Sequence, residues 1–223
     1  SFAQAEAWFA QSKIRRLGNP VRADQVAALL AVDPQGSDTH QRVHILVMGG
    51  SGGARALNEG VPAAIAALDA TVRAQLQVVH QAGPRHDSGP IERLYQQADV
   101  QAEVLPYLDD MAARYRWADL AVCRAGATTV TELAIAGIAS LLIPFPLATH
   151  DHQRHNAAEL VNAEAAVLVD EKTLASSLPN TLATLIADRG RLRDMGEAAR
   201  SVAKPDAAQA VVRELLVIAG MGA

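Results

Sequence analysis

The chain has 223 residues, half of them hydrophobic but only 4% aromatic, with a formal net charge of -4. That length suffices for one sizeable α/β core, and the negative balance excludes a general nucleic-acid or anionic-membrane binder, since either needs a basic field to collect phosphates. Cys123 is the one cysteine, which excludes an intrachain disulfide or a cysteine-built zinc site and suits a reducing compartment, so the cytoplasm is expected.

The opening SFAQAEAWFAQSKIRRLGNP lacks the successive basic, apolar and small-residue regions of a signal peptide, and no apolar run approaches the ~18 residues of a membrane span. The first residue is Ser rather than Met, as expected of a piece of a longer parent. Residues 1–18 read as a short element and a linker ending at Gly18, Asn19 and Pro20, where Pro fixes φ and pushes its predecessor out of the helical region. Strand-length apolar runs then recur at 43–48, 76–80, 102–107, 119–123, 140–145 and 165–170. Segments of helical spacing lie between them, namely 54–70, 90–99, 129–137 and 152–162. Strands apolar on both faces, alternating with helices, predict a Rossmann-like, doubly wound parallel sheet covered on both sides. After residue 172 the pattern is helical to the end, with no further strand.

Ligands of such sheets bind beyond the carboxyl ends of the strands, where four loops are informative. The first is GGSGG, Gly49, Gly50, Ser51, Gly52 and Gly53. It matches the GxSxG elbow of α/β hydrolases with Ser51 as nucleophile, but little chain is available upstream for an oxyanion-hole loop. A dinucleotide fingerprint fails at Arg55, and a Walker loop fails for want of GK[ST]. What remains is backbone N–H groups exposed at the start of a helix from Ala54, a setting that favours phosphate, or else a tight turn needing glycine for its own sake.

The second loop, CRAGATTVTELAIAG, spans 123–137. Thr129 and Glu132 have capping-box spacing; the functional alternative is a second helix N-terminus on the same crevice, with Glu132 accepting from a vicinal diol such as ribose. In the third, 144–160, His150, His152 and His155 invite a zinc reading. The alternative has Asp151 capping a helix whose first-turn His152 and Gln153 meet sugar hydroxyls. The fourth, GNPVR at 18–22, is a rigid turn presenting Arg22, either to a surface carboxylate or as a phosphate clamp.

Taken in order, GNPVR, GGSGGARALN, YLDDMAARYRWADLAVCRAGATTVTELAIAG and PFPLATHDHQRHNA resemble the C-terminal half of the MurG family, from about Gly18 to the end of the chain. The resemblance implies a GT-B glycosyltransferase, two Rossmann-like domains facing a cleft, with the carboxyl half holding the nucleotide sugar. It implies transfer of N-acetylglucosamine from UDP-N-acetylglucosamine to lipid I, giving the peptidoglycan precursor lipid II, by inversion and without a metal or other cofactor. Arg22 and the Ser51 loop would meet the diphosphate, and the backbone of Leu108 would meet uracil. Ala127, Thr128, Thr129, Val130, Thr131 and Glu132 would line the nucleotide, with Glu132 on the ribose, and Gln153 would hold the sugar with His152 alongside. Nothing matches the family's GGTGGH-type amino-half loop. The implied division is therefore 1–18 from a missing amino domain, 19–204 as the donor-binding domain, and 205–223 as a helix packing on that missing domain. The general base, the lipid I acceptor site and any peripheral attachment to the cytoplasmic face of the inner membrane would belong to the missing part. Other readings are the donor subunit of a different UDP-sugar GT-B enzyme, a UDP-N-acetylglucosamine epimerase, or a non-catalytic nucleotide-sugar module.

Overall fold

The structure, a computed structural model, describes residues 14–32 and 42–221; most of the expected 1–18 segment lies outside them. In chain order α1 (Ala23–Leu30) precedes β1 (Val43–Met48), then come α2 (Arg55–Ala66), the one-turn α3 (Ala70–Arg73) and β2 (Leu76–Gln81). Next are α4 (Gly89–Gln97), β3 (Gln101–Leu105), α5 (Met111–Trp117), β4 (Leu120–Cys123), α6 (Ala127–Ala136) and β5 (Ala139–Leu142). The chain finishes with α7 (His152–Asn162), β6 (Ala166–Leu168), α8 (Leu174–Ile186), α9 (Arg189–Ser201) and α10 (Ala207–Ile218).

The six strands pair in parallel in the order β3-β2-β1-β4-β5-β6. Met48 stands opposite both Gln81 and Cys123, so the carboxyl ends of the central strands lie level. Strand order reverses between β1 and β4, the switch point at which doubly wound sheets open a crevice. Alternation along each strand divides the core. Ile45, Val47, Val78, Val122 and Leu141 face a layer that includes α2, α4 and α8, while Leu46, Met48, Val79, Ala121, Cys123 and Leu142 face α1, α5, α6 and α7. Burial pushes the Cys123 thiol up to about 12, so it behaves as a small core hydrophobe.

Every strand expected from the sequence is present, with three ending early. β3 stops at Leu105 rather than 107, β5 at Leu142 rather than 145, and β6 at Leu168 rather than 170. For β3 and β5, Pro106 and Pro144 supply the reason, because neither has an N–H for a ladder. Phe145 is thereby released from the sheet into a loop. The sequence reading missed α1, α3 and α5, which are short, at eight, four and seven residues. The signal for α5 was Asp110, whose Oδ1 accepts from Ala113 N–H at 2.9 Å. Helix α6 ends at Gly137 as expected, in a left-handed conformation with φ of 72°. Arg200 from α9 covers that end, donating to Ala136 O at 3.1 Å and also to Val32 O. At the far end of the chain α10 buries only Ala207 among its residues, and Val212, Leu215, Leu216, Val217 and Ile218 are exposed.

A buried polar chain locks β2 to α2 and α4. Asn58 Nδ2 donates to Ala82 O at 2.9 Å, so its Oδ1 must accept from His80 Nε2 at 3.1 Å. His80 Nδ1 is then the acceptor for the Tyr95 hydroxyl at 2.9 Å. The imidazole is fully buried and neutral, its pKa lowered by burial from 6.5 to about 4. The unfolded chain therefore takes up a proton at a higher pH than the fold does. Stability from this group is complete above the unfolded pKa and is lost as pH falls toward 4, by about 3 kcal/mol in total. Urea midpoints measured between neutral and mildly acidic pH should show this loss in the wild type and not in His80→Gln. A constant gap between the two proteins across that range would count against a neutral buried imidazole.

Candidate functional site

A cleft of about 520 Å³ opens beyond the carboxyl ends of β1 and β4. Hollows of about 490 and 470 Å³ lie elsewhere, beside β6 with α9 and near the amino ends of β2 and β3, away from the loops that follow the strands.

The glycine-rich loop forms one wall. Gly50 and Gly53 have φ of 86° and 74°, a region open to glycine without strain. A Cβ on Gly53 would run into Ala82 O, and one on Gly49 into the Ala54 backbone, whereas Gly52 faces open space. Gly53 N–H closes the turn on Gly50 O at 2.9 Å. The loop delivers the chain to α2, whose N-cap Ala54 has no capping side chain. Opposite stands the start of α6, whose N-cap Gly126 also lacks one. The N–H groups of Arg55 and Ala56, and of Ala127, Thr128 and Thr129, have no acceptor among the described residues. Two positive helix ends thus meet one cleft, an arrangement suited to a di-anion.

Of the residues singled out from the sequence, Gly49, Gly50, Gly53, Thr129 and Gln153 line this cleft. Ser51 and Gly52 are exposed at the tip of the loop. The Ser51 hydroxyl has no hydrogen-bond partner among the described residues, so nothing there activates a hydrolase nucleophile. Ala127 is half-buried and Thr128 exposed in the first turn of α6. Val130 packs into the core. Thr131 donates back to Ala127 O at 2.9 Å and borders a separate hollow with Gly18 and Asn19.

The expected capping box does not form. Gly126 adopts extended backbone angles and starts the helix at Ala127, which puts Thr129 inside the first turn and carries Glu132 a turn deeper. There Glu132 Oε2 accepts from Tyr115 O–H at 3.1 Å and Oε1 from Gln25 Nε2 at 3.3 Å. Burial raises its pKa, and the Tyr115 hydrogen bond partly offsets the shift. Leu108 sits at the foot of α5 with its side chain buried, leaving its main chain as the part able to meet a ligand. Arg22 begins α1 in the open, forked onto Asp24 at 3.1 and 2.5 Å, so a phosphate there competes with a carboxylate. Glu132, Leu108 and Arg22 belong to a corner built by α1, α5 and α6, beside the glycine-lined cleft and outside its lining.

Asp151 occupies the N-cap position of α7 as expected but makes no capping bond, because its backbone is left-handed with φ of 53°. It pairs with Arg154 at 3.3 Å instead. His152 is exposed, with Nδ1 at 2.8 Å from Thr149 O. No three His, Cys, Asp or Glu side chains converge into a metal site among the described residues. Gln153 Oε1 accepts from both Ala125 N–H at 3.2 Å and Phe145 N–H at 3.0 Å, tying the loops after β4 and β5 together. Asn156 assists from α7, donating to Ala125 O at 3.0 Å.

Sequence reasoning missed Arg124, His86, Phe145 and Glu171, all of which line the cleft. Arg124 is 9% exposed and donates to Ile143 O at 3.0 Å and Pro144 O at 3.3 Å. Its Nη2 lies 2.5 Å from Glu171 Oε2. A charge so close to an apolar strand end was the available signal, since it demands a partner.

Among the described residues no helix is long and apolar enough to cross a membrane. The family model for the glycosyltransferase family 28 C-terminal domain matches residues 44–211. The UDP-N-acetylglucosamine--N-acetylmuramyl-(pentapeptide) pyrophosphoryl-undecaprenol N-acetylglucosamine transferase of Xanthomonas campestris pv. campestris is 49% identical over 207 residues, 92% of this chain and 47% of that protein. Its namesake in Stutzerimonas stutzeri is 46% identical over 93% of this chain and 57% of that protein. The crystal structure of Acinetobacter baumannii MurG superposes with a TM-score of 0.76 at 37% identity, covering 85% of this chain and 55% of that one. The chain thus spans about half the length of the relatives it matches. With the family model covering most of the chain, and a parallel sheet whose strand order reverses at the cleft, this protein belongs to the glycosyltransferase family 28 C-terminal domain family.

Proposed function

We propose that this chain is the donor-binding half of a glycosyltransferase that moves N-acetylglucosamine from UDP-N-acetylglucosamine to lipid I, forming lipid II in peptidoglycan synthesis. The observation that carries the reading is the meeting of two uncapped helix N-termini in one cleft at the sheet's switch point. The names of the relatives supply the sugar, the nucleotide and the acceptor.

In this reading the diphosphate lies between Gly49–Gly53 and the first turn of α6, with Arg22 and the Ser51 hydroxyl at its edge. Uracil meets the main chain at Leu108. The nucleoside runs along Ala127, Thr128, Thr129, Val130 and Thr131, those with turned-away side chains contributing backbone, to ribose hydroxyls on Glu132. The sugar faces Gln153, with His152 nearby. As the acceptor hydroxyl attacks the anomeric carbon, the bond to the diphosphate breaks and charge accumulates on UDP. Fixed N–H dipoles and Arg22 stabilise that charge. They do the work for which other transferases recruit a divalent ion. The general base, the lipid acceptor site and membrane attachment fall to the missing amino half, which also covers the apolar face of α10.

Calorimetric titration with UDP-N-acetylglucosamine, against UDP-glucose and NADH, tests the reading: selective binding is expected, and a folded chain that binds none of them would overturn it. EDTA should leave that binding unchanged; a loss that zinc restores would reinstate a histidine-bound metal. Glu132→Gln keeps the packing around Tyr115 while removing the charge, so UDP affinity should fall by about 1 to 3 kcal/mol with little loss of thermal stability. Undiminished affinity in that variant would remove Glu132 from the ribose.

A further inference from the structure

In the reading above one end of the cleft takes the anion, and the other end has different chemistry. Away from the glycine loop and the two helix starts, its polar side chains are Gln153, Arg124 and Glu171. Two are largely committed to the protein. Gln153 has its carbonyl oxygen filled by two main-chain N–H groups, so it offers a ligand only the amide N–H donors. Arg124 has Nη1 on two carbonyl oxygens and Nη2 on Glu171, with its side chain 10% exposed.

Glu171 is different. Its Oε2 is buried against Arg124, but its side chain is 24% exposed and Oε1 has no protein partner among the described residues. It is the one carboxylate lining the cleft among those residues. Its position is held from behind. Asp170 Oδ1 accepts from Lys172 N–H at 2.9 Å and Oδ2 from Arg154 Nη2 at 2.7 Å, which sets the short 3-10 turn Glu171–Thr173. Those hydrogen bonds also hold the Asp170 carboxyl below its ordinary pKa. Nearby, the Phe145 ring is 40% exposed, with the Arg124 guanidinium 5.4 Å from its centroid.

A fixed carboxylate repels phosphate and accepts strongly from a hydroxyl. An exposed ring suits the C–H face of a pyranose. We infer that Glu171 is a specificity-determining residue of the donor site, accepting a hydrogen bond from a hydroxyl of the transferred sugar beside Gln153 and Phe145. The inference rests on the nucleotide-sugar reading above and adds to it the group that reads the sugar. Polarity along the cleft then orients the donor, with phosphates toward the helix ends and hydroxyls toward the carboxylate.

The test compares UDP with UDP-N-acetylglucosamine on the intact chain. Glu171→Gln should weaken UDP-N-acetylglucosamine by about tenfold, as for loss of a hydrogen bond to a charged group, while UDP stays within about twofold of wild type. Glu171→Asp, which keeps the charge opposite Arg124 but withdraws it by one methylene, should show the same selective loss. Equal weakening of both ligands would reduce Glu171 to the structural partner of Arg124, and no change in either would remove it from the site. If Glu132→Gln weakens UDP while neither Glu171 variant discriminates between the ligands, the donor reading stands and this inference falls. Failure of the folded wild type to bind either ligand would overturn both.

Discussion

The carbonyl oxygen of Ala82 is the point on which the site's architecture turns. Gly53 lies so close to it that no side chain fits between them, and Asn58 from α2 donates to it. Asn58 is held by His80, and His80 by Tyr95 from α4. The end of β2, the glycine loop and two helices are therefore mutually located by one backbone atom and a buried chain of hydrogen bonds. In a buried setting each of these polar groups would be costly if left unpaired, which is why the set holds together as a unit. The consequence for function is positional, because the loop is held against the end of β2 and the first turn of α2 borders the cleft.

Charge around the cleft follows from that arrangement. The chain is net acidic, and its arginines near the site are already engaged, Arg22 with Asp24, Arg55 with Glu59 and Arg124 with Glu171. Attraction for a phosphate must therefore come mainly from N–H dipoles, which carry no counter-ion and need no reorganisation. The Arg22 and Arg55 pairs are exposed, so solvent screening leaves them weak and open to exchange for a stronger anion. Arg124 is a different case. Its buried contacts join the ends of β4 and β5 to the turn after β6, making it a brace for the cleft wall.

The two helix starts are alike in the chemistry they omit. Ala54 and Gly126 stand where Ser, Thr, Asp or Asn would usually cap, as Asp110 and Asp188 do at α5 and α9. Among the α-helices only α5 and α9 carry such a side-chain cap; the two that face the cleft share its absence with the rest. Leaving N–H groups unsatisfied costs stability, and a bound anion would repay that cost.

The parallel α/β sheet was legible from residues 43 to 170 because strands buried on both faces must be apolar throughout, whatever their partners. Glycine in the first loop was legible because backbone conformation there is a local matter. The expectation that GGSGG and the start of α6 take an anion rests on the same local physics. Strand ends were misjudged at Leu105 and Leu142, since apolar runs continued past the prolines that stop the ladder. The capping box failed because Thr129 and Glu132 satisfy a spacing rule, and the choice of Ala127 as the helix start depends on packing beyond that spacing. Arg124, Phe145 and Glu171 were invisible as a group, being separated in the chain. Only tertiary structure could decide that Glu171 closes on Arg124, that Gln153 spends its oxygen on two loops, and that Glu132 turns toward Tyr115. Local sequence determines which backbone a segment can adopt, whereas the partner of a buried charge is set by how separate segments pack.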